Sequence, residues 1–189
     1  MVAQGWYFDQ TRCINCFTCV VACKDWHQVP AGPASWIRVK TNEEGRYPHL
    51  KISFLAQGCY HCTRPACLEI CPVQAIRKRE DNGIVVVDGE LCIGKDRCGH
   101  CLKACPYEAP QFGAEENAKM QKCDLCLERL LEKQKPICAA ACPMRALDAG
   151  PMDELMRRYG RGREAEGFQY SSNLEPNIVF KRKSITPPK

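Results

Sequence analysis

The sequence has no long apolar run. Its apolar stretches are short, as at Ile84-Val85-Val86-Val87, and none approaches the roughly 18 consecutive residues that a membrane helix needs. Aromatic residues are sparse, at 8%. A core made of apolar side chains alone would therefore be thin, and inorganic staples are expected to supply part of the stability. The opening residues Met1-Val2-Ala3-Gln4-Gly5-Trp6-Tyr7 hold no basic segment followed by an apolar one, so no secretory signal is read and a disulfide framework is disfavoured. No Ser/His/Asp arrangement, phosphate-binding glycine loop or flavin fingerprint is read. No cysteine is left over once the cysteines are sorted into groups.

Sixteen cysteines stand among 189 residues, in four groups of four. The first is Cys13, Cys16, Cys19 and Cys23, spaced C-x2-C-x2-C-x3-C. The second is Cys59, Cys62, Cys67 and Cys71; the third is Cys92, Cys98, Cys101 and Cys105; the fourth is Cys123, Cys126, Cys138 and Cys142. The last three groups end in proline, at Pro72, Pro106 and Pro143. The ending C-x3-C-P is the signature of bacterial [4Fe–4S] loops. Two residues between cysteines let a short loop wrap its thiolates around one corner of a cluster, with backbone N–H groups turned inward toward the sulfurs. The fourth cysteine points away, and in two-cluster ferredoxins it ligates the other cluster. Structural zinc sites instead pair two separated C-x2-C or C-x2-H units. The pattern therefore favours iron–sulfur chemistry over zinc or disulfides.

The formal charge of +5 counts the cysteines as neutral. Four clusters with four thiolates each would add about −8 and leave the holoprotein at about −3, so the basic balance is weak evidence for a nucleic-acid partner. The basic run from Arg157 to Arg163 reads as a solvated helix end or a subunit contact.

Along the chain, residues 5–9 read as a first strand and residues 19–26 as a helix. Residues 36–39 read as a second strand, 41–48 as a polar connection and 52–55 as a third strand. Ala75 to Arg79 and Ile84 to Asp88 form a hairpin around Asp81-Asn82-Gly83. Residues 106–113 are turn-rich. Residues 124–133 have the apolar spacing of an amphipathic helix, and 151–160 that of a capped helix with acids early and bases late. Residues 161–189 read as an extended tail, with Pro187-Pro188 at an unfolded end. His61 and His100 lie inside cysteine loops and read as hydrogen-bonding or surface groups rather than ligands. His27 and His49 carry no motif, and Trp6, Trp26 and Trp36 read as packing residues.

These segments resemble the four-cluster iron–sulfur subunits of the dimethyl sulfoxide reductase family of molybdenum or tungsten enzymes. The likeness is carried by Phe8-Asp9-x-x-Arg12-Cys13, Cys59-x-His61-Cys62-x3-Ala66-Cys67, Cys71-Pro72-x-x-Ala75-Ile76, Val85-Val86-Val87-Asp88 and Cys105-Pro106-Tyr107. It continues in Lys122-Cys123-Asp124-x-Cys126, Lys135-Pro136-x-Cys138, Cys142-Pro143-x-Arg145-Ala146-Leu147 and Pro176-Asn177-Ile178-Val179, and so covers nearly the whole chain. The dimethyl sulfoxide reductase-like subgroup is the nearest, since no C-terminal membrane helix is read.

The resemblance implies an α+β fold of two ferredoxin-like dicluster modules, one inserted within the other. Residues 1–50 with 106–150 would form one module and residues 51–105 the other, followed by a C-terminal helix and tail at 151–189. It also implies the ligand sets. Cys142 would join Cys13, Cys16 and Cys19, and Cys23 would join Cys123, Cys126 and Cys138. Cys105 would join Cys59, Cys62 and Cys67, and Cys71 would join Cys92, Cys98 and Cys101. Five residues separate Cys92 from Cys98, three more than the family pattern, which leaves the last of these centres open between [4Fe–4S] and [3Fe–4S]; Lys95 and Arg97 in that insertion would add positive charge and raise its potential.

The implied role is an electron-transfer subunit in anaerobic respiration, not an enzyme by itself. It would work between a large molybdopterin catalytic subunit and an integral membrane anchor or quinone pool, on either side of the membrane. The same wire serving a hydrogenase or a multihaem nitrite reductase is the alternative. A zinc protein that binds nucleic acid is the reading from another class.

Overall fold

The computed structural model describes residues 2–183. Among these residues lie nine strands and six helices, most of them short, as expected of a chain whose local structure bends repeatedly around cysteine loops. Strand β1 (Gln4–Asp9) is the centre of a three-stranded sheet. It pairs antiparallel with β8 (Leu147–Pro151), Phe8 opposite Leu147, and parallel with β9 (Ile178–Lys181), Phe8 opposite Phe180. Hairpins are made by β2 (Arg38–Glu44) with β3 (Lys51–Gln57) and by β4 (Ile76–Lys78) with β5 (Val85–Val87). A two-residue pair joins β6 (Gln111–Phe112) to β7 (Met120–Gln121).

The helices are α1 (Thr18–Trp26), α2 (Ala66–Glu69), α3 (His100–Ala104), α4 (Leu127–Leu131), α5 (Ile137–Ala140) and α6 (Met152–Tyr159). The third cysteine of every group is the second residue of a helix: Cys19 in α1, Cys67 in α2, Cys101 in α3 and Cys138 in α5. After the fourth cysteine the paths divide. Where proline follows, it fixes the backbone and a turn closes, with the N–H of Gln74, Glu108 and Arg145 donating to the C=O of Cys71, Cys105 and Cys142 at 3.2, 3.1 and 3.1 Å. Each of those three residues is left-handed, at φ 51°, 51° and 49°. Each is followed by a buried alanine, Ala75, Ala109 or Ala146. Lys24 follows Cys23 instead of proline, so α1 continues to Trp26.

One apolar core runs through both halves of the cysteine sequence, with Trp6, Phe8, Leu55, Ile84, Leu125, Ile178 and Phe180 packed among the thiols. The scarce aromatics are concentrated there. Tyr60, Tyr107, Phe168 and Phe180 pack ring against ring at centroid distances of 4.6–5.4 Å.

Four expectations are corrected. The second strand starts later than residue 36 and runs through most of the supposed polar connection, because residues 38–44 pair along their whole length with β3 and need only one covered face. Part of the turn-rich segment 106–113 is strand β6, paired with a partner too distant for a local turn reading to find. The amphipathic helix is only five residues long: Leu125 and Cys126 are left-handed at φ 61° and 49°, and Lys133 at φ 60° ends it. The tail is not merely extended, since Ile178, Val179 and Phe180 are buried as β9. The Pro187-Pro188 end lies outside the described residues.

Candidate metal centre

The packing gathers the sixteen thiols into four neighbourhoods. Strand β1 leads into the first cysteine loop and β8 leads out of the fourth, so their pairing sets α1 beside α5. There Cys19 has Cys13, Cys142 and Cys16 as its charge neighbours. Cys23 instead faces Cys126, and Cys123 and Cys138 face Cys23. The hairpin of β4 and β5, with α2 beside α3, does the same for the second and third groups. Cys59, Cys62, Cys67 and Cys105 line one small cavity, and Cys71, Cys92, Cys98 and Cys101 line another. The neighbourhoods adjoin in a row: Cys138 neighbours Cys19, Cys123 neighbours Cys59, and Cys67 neighbours Cys101.

The chemistry of these places suits an anionic metal cluster. Burial pushes the thiols of Cys19, Cys23 and Cys67 up to about 12 and those of Cys101 and Cys126 to about 11. Cys123 and Cys138 are buried and are raised well above the ordinary thiol value, chiefly by the same desolvation. Thiolates here therefore require more positive charge than nearby cations such as Lys122, Lys24 and Arg129 supply, and bound iron would supply it.

Backbone N–H groups already turn toward sulfur: Leu125 to Cys123 Sγ at 3.3 Å, Ile137 to Cys126 Sγ at 3.4 Å, Ala146 to Cys142 Sγ at 3.3 Å and Met120 to Cys92 Sγ at 3.4 Å. Donors of this kind disperse negative charge on a sulfur that ligates a metal. Cys16 differs from the rest. It is exposed, and Thr18 Oγ1, donating at 3.4 Å, draws its thiol below the ordinary value.

The histidines split. His61 is completely buried, and its Nδ1 accepts the Val85 N–H at 3.0 Å while lying 3.9 Å from Cys59 Sγ. Burial, then the charge of Lys122, hold it well below the ordinary histidine value, so it is neutral with its proton on Nε2. His100 is exposed. His27, which carried no motif, places Nε2 3.2 Å from Cys126 Sγ and lies against the Trp36 ring, 4.5 Å between centroids. Sequence reasoning missed it because a single histidine eleven residues before a strand has no spacing to read. Trp6 is a packing residue as expected, and its Nε1 also donates to the Cys59 carbonyl at 3.0 Å. The basic run is partly structural: Arg163 donates to the carbonyls of Pro176 and Ile178 at 3.2 and 2.7 Å and pins the segment before β9.

Comparison with known proteins agrees with this chemistry. Two family models described as 4Fe-4S dicluster domain match residues 12–75 and 50–152. The sequence is 40% identical to the B subunit of anaerobic dimethyl sulfoxide reductase from Escherichia coli (strain K12), over 97% of this protein and 91% of that one. It is 38% identical to the subunit of the same name from Haemophilus influenzae, over 96% and 90%. Protein NrfC of Escherichia coli (strain K12) is 34% identical over 81% of this protein and 67% of its own length. Two dicluster regions and sixteen cysteines fit four [4Fe–4S] clusters. The protein belongs to the family of four-cluster iron–sulfur electron-transfer subunits that includes these dimethyl sulfoxide reductase B subunits.

Proposed function

We propose that this protein relays electrons between a molybdenum or tungsten bis-pterin catalytic subunit and a membrane anchor or the quinone pool, and that substrate chemistry takes place in the partner. The observation that carries the reading is the row of four adjoining thiol neighbourhoods, running from the exposed Cys16 loop to the cavity of Cys71, Cys92, Cys98 and Cys101. A [4Fe–4S] cluster supplies one-electron chemistry with no bond made or broken. The protein's own residues hold each group in place, donate N–H to its sulfurs and keep water out with apolar walls.

The ligand sets are those of the neighbourhoods: Cys13, Cys16, Cys19 and Cys142; Cys123, Cys126, Cys138 and Cys23; Cys59, Cys62, Cys67 and Cys105; and Cys92, Cys98, Cys101 and Cys71. The first two sets would belong to one module, residues 1–50 with 106–150, and the last two to a module inserted at 51–105. The pairing of β1 with β8 and of β4 with β5 supports that nesting.

The last set is assigned a [4Fe–4S] rather than a [3Fe–4S] centre. Cys92 lines the same cavity as its three companions despite the longer spacing. Its loop is tied down by Lys95 N–H to Ala118 O at 2.9 Å, Asn117 Nδ2 to Ile93 O at 3.0 Å and Lys119 Nζ to Cys92 O at 2.6 Å. Lys95 and Arg97 are exposed, so solvent screens their effect on its potential.

Among the described residues no helix is long and apolar enough to cross a membrane, so membrane attachment would come through a partner. Ile14, Phe17 and Val21, exposed around the Cys16 loop, offer an apolar face for docking near the end of the row. The dimethyl sulfoxide reductase B subunits match over more of their length than NrfC does, which favours a molybdopterin partner over the alternatives.

The test is anaerobic purification with iron, sulfide, molybdenum and tungsten analysis, followed by EPR during a redox titration. About sixteen irons per polypeptide and a co-purifying molybdenum or tungsten subunit are expected. About fifteen irons with a signal in the oxidised state would place a [3Fe–4S] centre at Cys92, and zinc in place of iron would overturn the reading.

A further inference from the structure

Lys122 is buried at 2% exposure in the middle of the row. Its Nζ donates to the carbonyl of Val85 and, at 3.0 Å, to that of Cys123. Among the described residues it forms no ion pair with a carboxylate. Lysine is almost never fully buried without a partner, because an uncompensated ammonium in the interior costs several kcal/mol, on the order of an isolated buried charge after relaxation.

The anions within reach are sulfur. Lys122 lines the cavity of Cys59, Cys62, Cys67 and Cys105, and it is bonded through the backbone to Cys123 of the neighbouring set. It therefore stands at the junction between the second and third neighbourhoods, where the sequence groups exchange no cysteine. Val85 ties the place together, giving its C=O to Lys122 and its N–H to His61. Lys78 and Arg38 stand beside the same set, donating to the carbonyls of Cys62 and Tyr107 at 3.1 Å each, but both are only part-buried, whereas Lys122 is buried.

We propose that the Lys122 ammonium is the counter-charge at this junction and raises the reduction potentials of the two central clusters. The inference rests on the four-cluster reading above. One electron passes from one central site to the other, with no bond made or broken. A fixed positive charge in a poorly screened interior stabilises the reduced, more negative form of whatever it faces.

The experiment is an EPR-monitored redox titration of the anaerobically purified holoprotein and of Lys122→Gln, Lys122→Met and Lys122→Arg. Wild-type iron and sulfide content is measured first. Wild type without iron overturns the four-cluster reading itself, whereas a loaded wild type with unresponsive variants overturns only this inference. In Lys122→Gln and Lys122→Met, the signals that Cys62→Ser and Cys126→Ser also abolish should move to lower potential. The expected change is at least tenfold in the one-electron equilibrium, or about 59 mV. The signals assigned to the outer sets should stay in place, and Lys122→Arg should stay close to wild type.

Equal shifts in all four signals, or none, would overturn the proposal. If the two neutral variants purify without the central clusters while Lys122→Arg holds all four, the charge is required already at assembly, which supports it. Loss of the central clusters in Lys122→Arg as well would show a packing role and overturn it.

Discussion

At the scale of single residues, the sharpest question is which loop gives each cluster its fourth thiol. Cys16 and Cys142 are far apart in sequence but flank the same neighbour, Cys19. If they share a cluster, Cys16→Ser and Cys142→Ser each lose about four irons, and the double variant loses no more than either; about eight lost in the double variant would assign them to different clusters. Iron analysis decides between the two. A second prediction concerns Asp148, a buried carboxylate that receives Lys135 Nζ at 2.8 Å and Tyr159 Oη at 2.7 Å. Burial alone would raise its pKa, but the bonds from Lys135 and Tyr159 outweigh burial and leave it below the ordinary carboxylate value. A depressed folded-state pKa stabilises above the unfolded value and loses its effect as pH falls through the folded one. Asp148→Asn should therefore cost roughly 1–3 kcal/mol at neutral pH. The gap to wild type should narrow below about pH 4, as followed by denaturant midpoints. A gap independent of pH would show that the carboxylate's charge is not what matters.

At the scale of elements, the cysteine loops obey local rules and the strands between them do not. The third cysteine is the second residue of a helix in all four groups, and Cys-Pro closes the same left-handed turn in three. Both follow from short-range backbone geometry, which is why the spacing and the prolines were readable in the residue string. Strand β9 was not readable as a strand, because its partner β1 lies at the other end of the sequence and parallel pairing leaves no hairpin signal. Its contribution is nevertheless large. Phe180, 3% exposed, packs against Phe8 and Phe168. Phe180→Ala should cost about 3–5 kcal/mol, seen as a lower denaturant midpoint; a loss below about 1 kcal/mol would mean that the strand only caps the sheet. Gly5 in β1 meets a similar demand, since a Cβ there would stand 2.2 Å from Met152 Sδ and 2.5 Å from Asn177 O. Gly5→Ala should therefore push α6 or the approach to β9 away from the sheet and lower the thermal midpoint.

At the scale of the whole molecule, a thin apolar core surrounds many thiols. Buried cysteines account for much of what packs at its centre, and several are held away from their thiolate form by burial first and by neighbouring thiols second. Removing iron leaves those thiols protonated, and it leaves Lys122 buried without an anion beside it. The cluster-free protein should accordingly lose its cooperative thermal transition and most of its protection from proteolysis. Circular dichroism after anaerobic chelation checks this, and an unchanged transition would show that the side-chain core suffices.

The number of ligands, their grouping and the chemistry of the metal were determined by the sequence itself, because they depend on spacings of two or three residues that a loop must satisfy locally. The positions of Lys122, His27 and β9, and the gathering of thiols from distant loops into common neighbourhoods, were decided by tertiary structure. They join residues tens to more than a hundred positions apart, brought together by the burial of apolar surface around β1, and no spacing along the sequence encodes which side chain that burial will enclose beside a sulfur.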